Sequence, residues 1–180
     1  MLLRKIRLLF VGCLIGLWAF SSQAAEWTMA SGYPKSNFHT QNIIKFIDDV
    51  KSGSSVKINL NPNDTLIKLD AIKTSLQRGQ IPIGEIRFGI YGNEDPMYIL
   101  AGLPFIAPDY ASAWLLKEVK HAYLQEKFNK KGLRILYTSP WPGQGFYTKF
   151  PVNKVSDFNG KKLRIYSTAT QQMGSMLGFN

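Results

Sequence analysis

Cysteine is almost absent from this sequence, which contains only Cys13, inside an apolar stretch near the N-terminus. Disulfide bridges within the chain and metal sites built from several thiolates are therefore excluded. Histidine is also scarce, because His39 and His121 are the only two, and they lack the short spacing of a zinc motif such as H-E-x-x-H. Both histidines are expected on the surface or in a loop. No metal site and no cofactor are predicted.

Hydrophobic runs long enough to span a bilayer are missing as well. The apolar run from Leu8 to Phe20 is shorter than the roughly 20 residues that a spanning helix needs. Small residues follow it, and a basic segment precedes it, formed by Arg4, Lys5 and Arg7. This arrangement predicts a secretory signal peptide over residues 1–24, cut after Ala24, rather than the alternative of a membrane anchor. The mature chain would then hold no cysteine, and its predicted location is the periplasm.

Dense basic clusters are absent despite an excess of positive charge. The net charge of +10 falls to +7 when the three basic residues of the predicted signal peptide are removed. Apart from the pairs Lys130–Lys131 and Lys161–Lys162, the other basic residues are dispersed along the chain. Nucleic-acid binding usually needs a basic patch, so dispersal and export together argue against nucleic acid as a partner. The charge predicts a solvated basic surface that is compatible with an acidic ligand.

Recognisable catalytic motifs are also lacking. The segment Gly53–Ser55 does not have the second glycine of a nucleophile elbow. Glu94 and Asp95 are adjacent, so on a strand they would point to opposite faces. The segment "GEIRFG" has only two glycines and does not match a phosphate-binding loop. The residues predict a binding protein and no enzymatic activity.

The first half of the chain has the pattern of a parallel sheet covered by helices. Strands are predicted over 26–31, 56–60 and 81–89, and amphipathic helices over 39–50 and 65–78. The alternation of strand and helix is typical of α/β proteins. Without the predicted signal peptide the chain is long enough for one domain with a single core.

The second half predicts further strands and two helices. A helix over 111–129 is expected to bury one apolar face, formed by Trp114, Leu115, Val119, Ala122 and Tyr123. Extended segments are predicted over 133–139, 146–152 and 161–167, followed by a helix that Thr168 caps and that reaches about Leu177. These strands would make the sheet mixed and mostly parallel, with helices on both faces.

Polar and aromatic residues cluster where the predicted strands end, which is where open α/β sheets bind ligands. The clusters span Tyr33–Phe38, Gly84–Arg87, Trp141–Gln144 and Arg164–Thr168. Arg164 stands out, because a guanidinium can donate two parallel hydrogen bonds to a carboxylate and a helix N-terminus follows it. A surface salt bridge from Arg164 to Asp157 or Glu85 is the alternative.

Five segments in order resemble the periplasmic substrate-binding subunit of TRAP transporters, the DctP-type family. They are "EWTMASGYPKSNFHT", "LNPNDTLIKLDAIKTSLQRGQIPIGEI", "GNEDPMYILAGLPFIA", "KGLRILYTSPWPGQGFYTKFPV" and "DFNGKKLRIYSTATQQMGSMLG". The resemblance implies a periplasmic-binding-protein-like (type II-like) α/β fold with two lobes. It implies capture of an organic acid for delivery to the membrane subunits of a TRAP transporter. Residues 25–180 would then be the N-terminal lobe and the start of the crossing to a second lobe.

The resemblance also assigns roles to individual residues. Arg164 matches the arginine that pairs with the ligand carboxylate, and Glu85 matches a pocket acid, with Arg87 beside it. Gln144 stands where some sialic-acid binders carry a second arginine, which favours a simpler or more apolar acid. The complete set of implied ligand-binding residues is Arg164, Glu85, Arg87, Asn37, Phe38, Trp141, Gln144 and Tyr166. For Trp141 and Tyr166, which would line the pocket, an ordinary core position is the alternative. Two alternatives remain open: a solute-binding protein of an ABC-type importer and an exported enzyme.

Overall fold

The computed structural model describes residues 25–180 of the chain. The predicted signal peptide lies outside the described residues. None of the described helices is both long enough and apolar enough to cross a membrane.

Three parallel strands form the sheet, with β1 at its centre. They are β1 (Glu26–Ala30), β2 (Lys57–Asn61) and β3 (Ile83–Gly84), in the order β2-β1-β3. Trp27 lies opposite Ile58, and Met29 lies opposite Ile83. Helix α1 (Phe38–Gly53) connects β1 to β2, and helix α2 (Ile72–Gln77) connects β2 to β3. The strand and helix order predicted for the first half of the chain is therefore confirmed. The strand predicted over 81–89 is much shorter, because only Ile83–Gly84 pairs with β1 and the chain then turns into a 3₁₀ helix at Phe88–Tyr91.

The two helices cover opposite faces of the sheet. Successive residues of a strand point to opposite faces, so Met29 and Ala30 contact different layers. Met29 packs with Ile43 of α1, whereas Ala30 packs with Ile72 of α2. The α/β class with helices on both faces is confirmed.

Gly84 allows α2 to lie close against the end of β3. A Cβ atom at this position would come within 2.6 Å of the Ile72 Cγ2 atom, which is too close for a real contact. Any larger residue would displace the helix from the sheet.

Helix α2 is shorter than predicted, because the chain before it forms turns. Asn63 and Asp64 both adopt a φ of 58°, in the left-handed region that short polar residues tolerate. The Asp64 Oδ1 atom accepts a hydrogen bond from the Leu69 N–H at 2.9 Å, and Thr65 Oγ1 donates to the Pro62 carbonyl at 2.7 Å. Such local bonds compete with helix formation, and the helix begins only at Ile72.

Helix α3 (Tyr110–Asn129) buries a different face from the predicted one. Its buried residues are Lys120, Leu124 and Phe128, and the last two form a cluster with Tyr91 and Tyr98. The residues predicted to face inward are all exposed: Trp114, Leu115, Val119, Ala122 and Tyr123. That prediction is wrong because both faces of the helix carry apolar residues, and the packing partner selected the second face.

The strands predicted over 133–139, 146–152 and 161–167 are not formed within the described residues. Leu133 and Ile135 pack against the Leu124 and Phe128 cluster, so the first of these segments contacts the core. It has no neighbouring strand, and an extended segment becomes part of a sheet only through hydrogen bonds to a partner. The sheet is consequently narrower than predicted and parallel throughout the described residues.

The last helix is α4 (Thr168–Met176), close to its predicted position. Its N-cap is Ser167 and not Thr168, because the Ser167 Oγ atom accepts a hydrogen bond from the Thr170 N–H at 3.2 Å. Short 3₁₀ helices complete the structure at Phe88–Tyr91, Pro96–Tyr98, Leu100–Gly102 and Val155–Phe158.

Candidate functional site

The carboxyl ends of β1 and β3 bring Ser31 and Glu85 together. The Ala30 carbonyl at the end of β1 accepts a hydrogen bond from the Glu85 N–H at 2.9 Å. Ser31 is completely buried, and its Oγ atom donates to the Glu85 Oε2 atom at 2.5 Å. A carboxylate is thus held at the sheet edge where parallel α/β proteins bind ligands.

Glu85 is a partly buried acid without a cationic partner among the described residues. Burial raises the pKa of its carboxyl, and the hydrogen bond from Ser31 opposes this increase. A carboxylate with a free oxygen in such a place can accept a hydrogen bond from an N–H or O–H group of a ligand.

Arg87 follows Glu85 by two residues. Its Nε atom is buried and has no hydrogen-bond partner. The guanidinium carbon lies 5.7 Å from the centre of the Tyr166 ring, which brings the segment before α4 next to β3. Gly92 supports the same approach, since a Cβ atom there would lie 2.9 Å from the Thr168 Oγ1 atom.

Four rings form an aromatic cluster beside these charges. The Trp141 ring centre lies 5.1 Å from that of Phe38, 5.3 Å from Tyr33 and 4.5 Å from His39. The segment that carries Trp141 therefore crosses the start of helix α1. The prediction of a surface or loop position for His39 is wrong, because only 6% of this residue is exposed.

Asn37 and Gln144 have roles in the local backbone. The Asn37 Oδ1 atom caps helix α1 by accepting a hydrogen bond from the His39 N–H at 2.9 Å. Gln144 is exposed, and its amide donates to the Pro142 carbonyl at 3.1 Å. Two predicted site residues, Phe38 and Trp141, belong to the aromatic cluster. Three others lie beside it: Glu85, Arg87 and Tyr166.

Arg164 is exposed on the extended segment before α4. It forms no ion pair among the described residues. The alternative partners have other contacts: Asp157 accepts hydrogen bonds from the Asn153 and Lys154 N–H groups at 2.8 and 3.0 Å, and Glu85 accepts one from Ser31. The guanidinium is therefore available to an anion. It lies two residues before Tyr166, which contacts Arg87.

Two residues of this cluster, Tyr33 and His39, were not among the predicted ligand-binding residues. The only sequence signal for them is their place in or next to the segment Tyr33–Phe38, a polar and aromatic stretch after a predicted strand. Their burial depends on Trp141, which is distant in sequence, so no local pattern could reveal it. No group of acidic, histidine or cysteine side chains in the described part could hold a metal ion.

Comparison with known proteins identifies the family. The model of the family described as "DctP: Bacterial extracellular solute-binding protein, family 7" matches residues 29–180. The chain belongs to this family. Comparison with curated proteins gives no match.

Solved structures of other solute-binding proteins are similar to this one. The Bordetella pertussis extracytoplasmic solute receptor DctP6, which binds pyroglutamic acid, is 37% identical with a TM-score of 0.83, over 87% of this chain and 52% of its own. Bordetella pertussis DctP7, which also binds pyroglutamic acid, is 35% identical with a TM-score of 0.82, and the match covers 87% and 52% of the two chains.

A third similar structure comes from a marine metagenome. This TRAP solute-binding protein, specific for pyroglutamate, is 36% identical with a TM-score of 0.82, over 88% of this chain and 53% of its own. The chain therefore spans about half the length of the solved structures that it matches.

Proposed function

We propose that this solute-binding protein captures a small organic acid outside the cytoplasm and delivers it to the membrane subunits of a TRAP transporter. Membership of the family supports the binding role, and the similar structures are TRAP-type receptors, which favours this transporter class over an ABC-type importer. The proposal includes export through the signal peptide predicted over residues 1–24. It also includes a binding cycle without any enzymatic step.

The ligand that we propose is pyroglutamate, a five-membered lactam that carries one carboxylate. The three similar structures described above bind this acid. The residues proposed to bind the ligand have matching chemistry: a guanidinium at Arg164 for the carboxylate, the Glu85 oxygen for the lactam N–H, and aromatic rings for the flat ring. The single observation that supports this proposal most is the partly buried Glu85, held by Ser31 beside Trp141 and Arg87.

The proposed architecture has a second lobe that closes over the ligand. The coverage of about half of each similar structure supports this arrangement. The exposure of Arg164 also supports it, because an ion pair with a ligand becomes strong only when water is excluded from it. Residues 25–180 would supply the first lobe, the start of the crossing and the ligand-binding residues named above.

Substitution of Arg164 tests the proposed function. In the full-length mature protein, Arg164→Ala is expected to weaken binding of L-pyroglutamate by about 2–5 kcal/mol, as expected for removal of one partner from a buried ion pair. This corresponds to roughly thirty-fold to several-thousand-fold in Kd. Arg164→Lys keeps the charge but loses the two parallel hydrogen bonds, so its affinity should lie between those of the wild type and Arg164→Ala. Isothermal titration calorimetry measures all three proteins.

The matched control is Arg134→Ala, since Arg134 is also an exposed arginine on an extended segment. This variant should bind like the wild type. Wild-type affinity in Arg164→Ala, with a normal melting curve, would contradict the assigned role of this arginine.

A further inference from the structure

Three buried side-chain polar atoms of the described residues lack a hydrogen-bond partner, and all three lie at the candidate site. They are the Tyr33 Oη, His39 Nε2 and Arg87 Nε atoms. A buried polar group without a partner costs about 1–3 kcal/mol of stability. Native proteins keep few of them, and each one calls for an explanation. Their location in one place suggests that a ligand supplies the missing partners.

The backbone around Tyr33 is held in a defined position. The Tyr33 carbonyl accepts hydrogen bonds from the Asn63 N–H at 2.8 Å and from the Thr40 Oγ1 atom at 3.2 Å. The Tyr33 ring also packs against His39, with 5.9 Å between the ring centres, and against Trp141. The unpartnered hydroxyl is therefore unlike a mobile surface group, because its ring is fixed by packing.

Charged groups of the site lie close to the Tyr33 hydroxyl. Burial raises the pKa of this hydroxyl and so does the Glu85 carboxylate, whereas the Arg87 and Trp141 side chains, which lie near the hydroxyl without the geometry of a hydrogen bond, lower its pKa. Tyr33 thus belongs to the same site as Glu85 and Arg87. At neutral pH the hydroxyl keeps its proton and can both donate and accept a hydrogen bond.

The His39 imidazole is neutral. Burial lowers its pKa below the ordinary value of 6.5, and its ring packs against the aromatic rings of Tyr33, Phe38 and Trp141. A neutral imidazole is better suited to an uncharged amide than to a carboxylate, which is served better by a guanidinium.

We propose that the Tyr33 hydroxyl and the His39 imidazole determine specificity by hydrogen bonding the uncharged ring amide of a cyclic amide acid. This inference rests on the proposed function and divides the ligand between two parts of the site. Arg164 binds the carboxylate, and the Tyr33–His39 pair recognises the polar group at the other end of the ring. A site with unpaired polar groups rejects a ligand that lacks the matching group, because those groups then stay buried without partners.

The test compares two acids and two substitutions in the full-length mature protein. L-Pyroglutamate carries the ring amide, and cyclopentanecarboxylate has the same ring size and carboxylate without it. Tyr33→Phe removes only the hydroxyl, so it should weaken L-pyroglutamate binding by about tenfold to a hundredfold. Its affinity for cyclopentanecarboxylate should be unchanged or higher. Calorimetric titration measures both.

The same variant has an expected effect on stability that a structural role would not produce. Removal of an unpartnered buried hydroxyl should raise the Tm of the ligand-free protein by about 1–4 °C. His39→Leu should likewise weaken L-pyroglutamate binding and raise the Tm of the ligand-free protein. His39→Gln places a polar amide group near the position of Nε2 and should therefore bind L-pyroglutamate more tightly than His39→Leu does. Tyr147→Phe is the matched control, since 91% of Tyr147 is exposed.

The outcomes separate this inference from the proposed function. If the wild type binds neither acid, the proposed ligand and this inference are both overturned. If the wild type binds L-pyroglutamate and Tyr33→Phe binds it equally well, only this inference is overturned. Equal losses for the two acids would also overturn it, because they would indicate positioning of the carboxylate and not recognition of the ring amide.

Discussion

Individual residues at the carboxyl edge of the sheet are held in states that disfavour folding. Burial destabilises the charged form of the Glu85 carboxyl. His39 and Tyr33 each have a buried polar atom without a hydrogen-bond partner. Each would be more stable in water or with a partner. Stability lost in this way is typical of binding sites, where the missing partners come with the ligand.

Replacement of Glu85 provides a prediction about pH. Burial raises the pKa of Glu85 above its ordinary value of 4.5, so the folded protein keeps this proton to a higher pH than the unfolded chain does. The stability that this carboxyl contributes is complete below its unfolded pKa and is lost as pH rises through its folded pKa. Glu85→Gln has no such loss. Without ligand, the Tm of Glu85→Gln minus that of the wild type should therefore become more positive between about pH 4 and about pH 7.

Glu126→Gln is the control for this experiment, because Glu126 lies on the surface of α3. Its pKa is lowered by the hydrogen bond and the charge of Lys130, so the effect on stability has the opposite sign. Thermal melts across this pH range measure both variants. A Tm difference between Glu85→Gln and wild type that does not change with pH would contradict the burial argument.

At the scale of secondary-structure elements, a network of charged side chains connects helices α2 and α3. Lys73 of α2 is 2% exposed and forms an ion pair with both carboxylate oxygens of Glu94. Lys131, just after α3, donates to the same carboxylate at 2.7 Å. The Lys73 ammonium also lies 4.3 Å from the centre of the Tyr91 ring. The loop between the helices is thereby connected to both of them.

Removal of the Glu94 charge should destabilise the protein. Glu94→Gln leaves the Lys73 ammonium buried without a carboxylate, and breaking a buried pair from one side costs about 3 kcal/mol. This is the lower end of the usual range, chosen because the Glu94 side chain is 34% exposed. Chemical denaturation measures the free energy of unfolding.

The double variant Lys73→Met with Glu94→Gln identifies the origin of that effect. It removes both charges and should recover much of the lost stability, since no buried charge remains unpaired. Equal destabilisation in the single and double variants would mean that packing of Lys73, and not its charge, holds the helices together.

At the scale of the whole molecule, the described residues include many large apolar side chains that are exposed. Large side chains on α3 and in the loops are exposed by 60% or more, among them Phe105, Tyr110, Trp114, Leu115, Val119 and Tyr147. Four of these side chains, those of Tyr110, Trp114, Leu115 and Val119, lie on α3, and large apolar side chains exposed close together often mark an interface. This fits the proposed second lobe, which would also close the site around Arg164 and Trp141.

A prediction at this scale concerns binding by residues 25–180 alone. If a second lobe excludes water from the ligand, these residues by themselves should bind L-pyroglutamate at least about tenfold more weakly than the full-length protein. An exposed ion pair contributes at most about 1 kcal/mol, much less than a buried one. Calorimetric titration compares the two proteins, with circular dichroism to establish that both are folded. Equal affinities would contradict the two-lobed proposal.

Sequence reasoning predicted well those features that depend on near neighbours. The order of the strands and helices from Glu26 to Gly84 and the position of α4 follow from hydrophobic period and capping residues, which act within one or two turns. Element bounds were less accurate, because the turns around Asp64 delay the start of α2 and β3 is limited to Ile83–Gly84. Sequence reasoning failed for features that depend on packing partners distant in the sequence. The buried face of α3 could not be chosen from its sequence, because Leu124 and Val119 are equally apolar and only Tyr91 and Tyr98 distinguish their faces.

The amino-acid sequence alone determined the order of the elements in the first half of the chain and the family, together with Arg164 and Glu85 as candidate ligand-binding residues. The tertiary structure alone decided that Tyr33 and His39 meet Trp141, that Ser31 holds Glu85, and that residues 133–139 stay without a strand partner. The physical reason is the range of the interactions. Backbone propensity and capping are local, whereas burial, packing and strand pairing depend on residues that only the folded chain brings into contact.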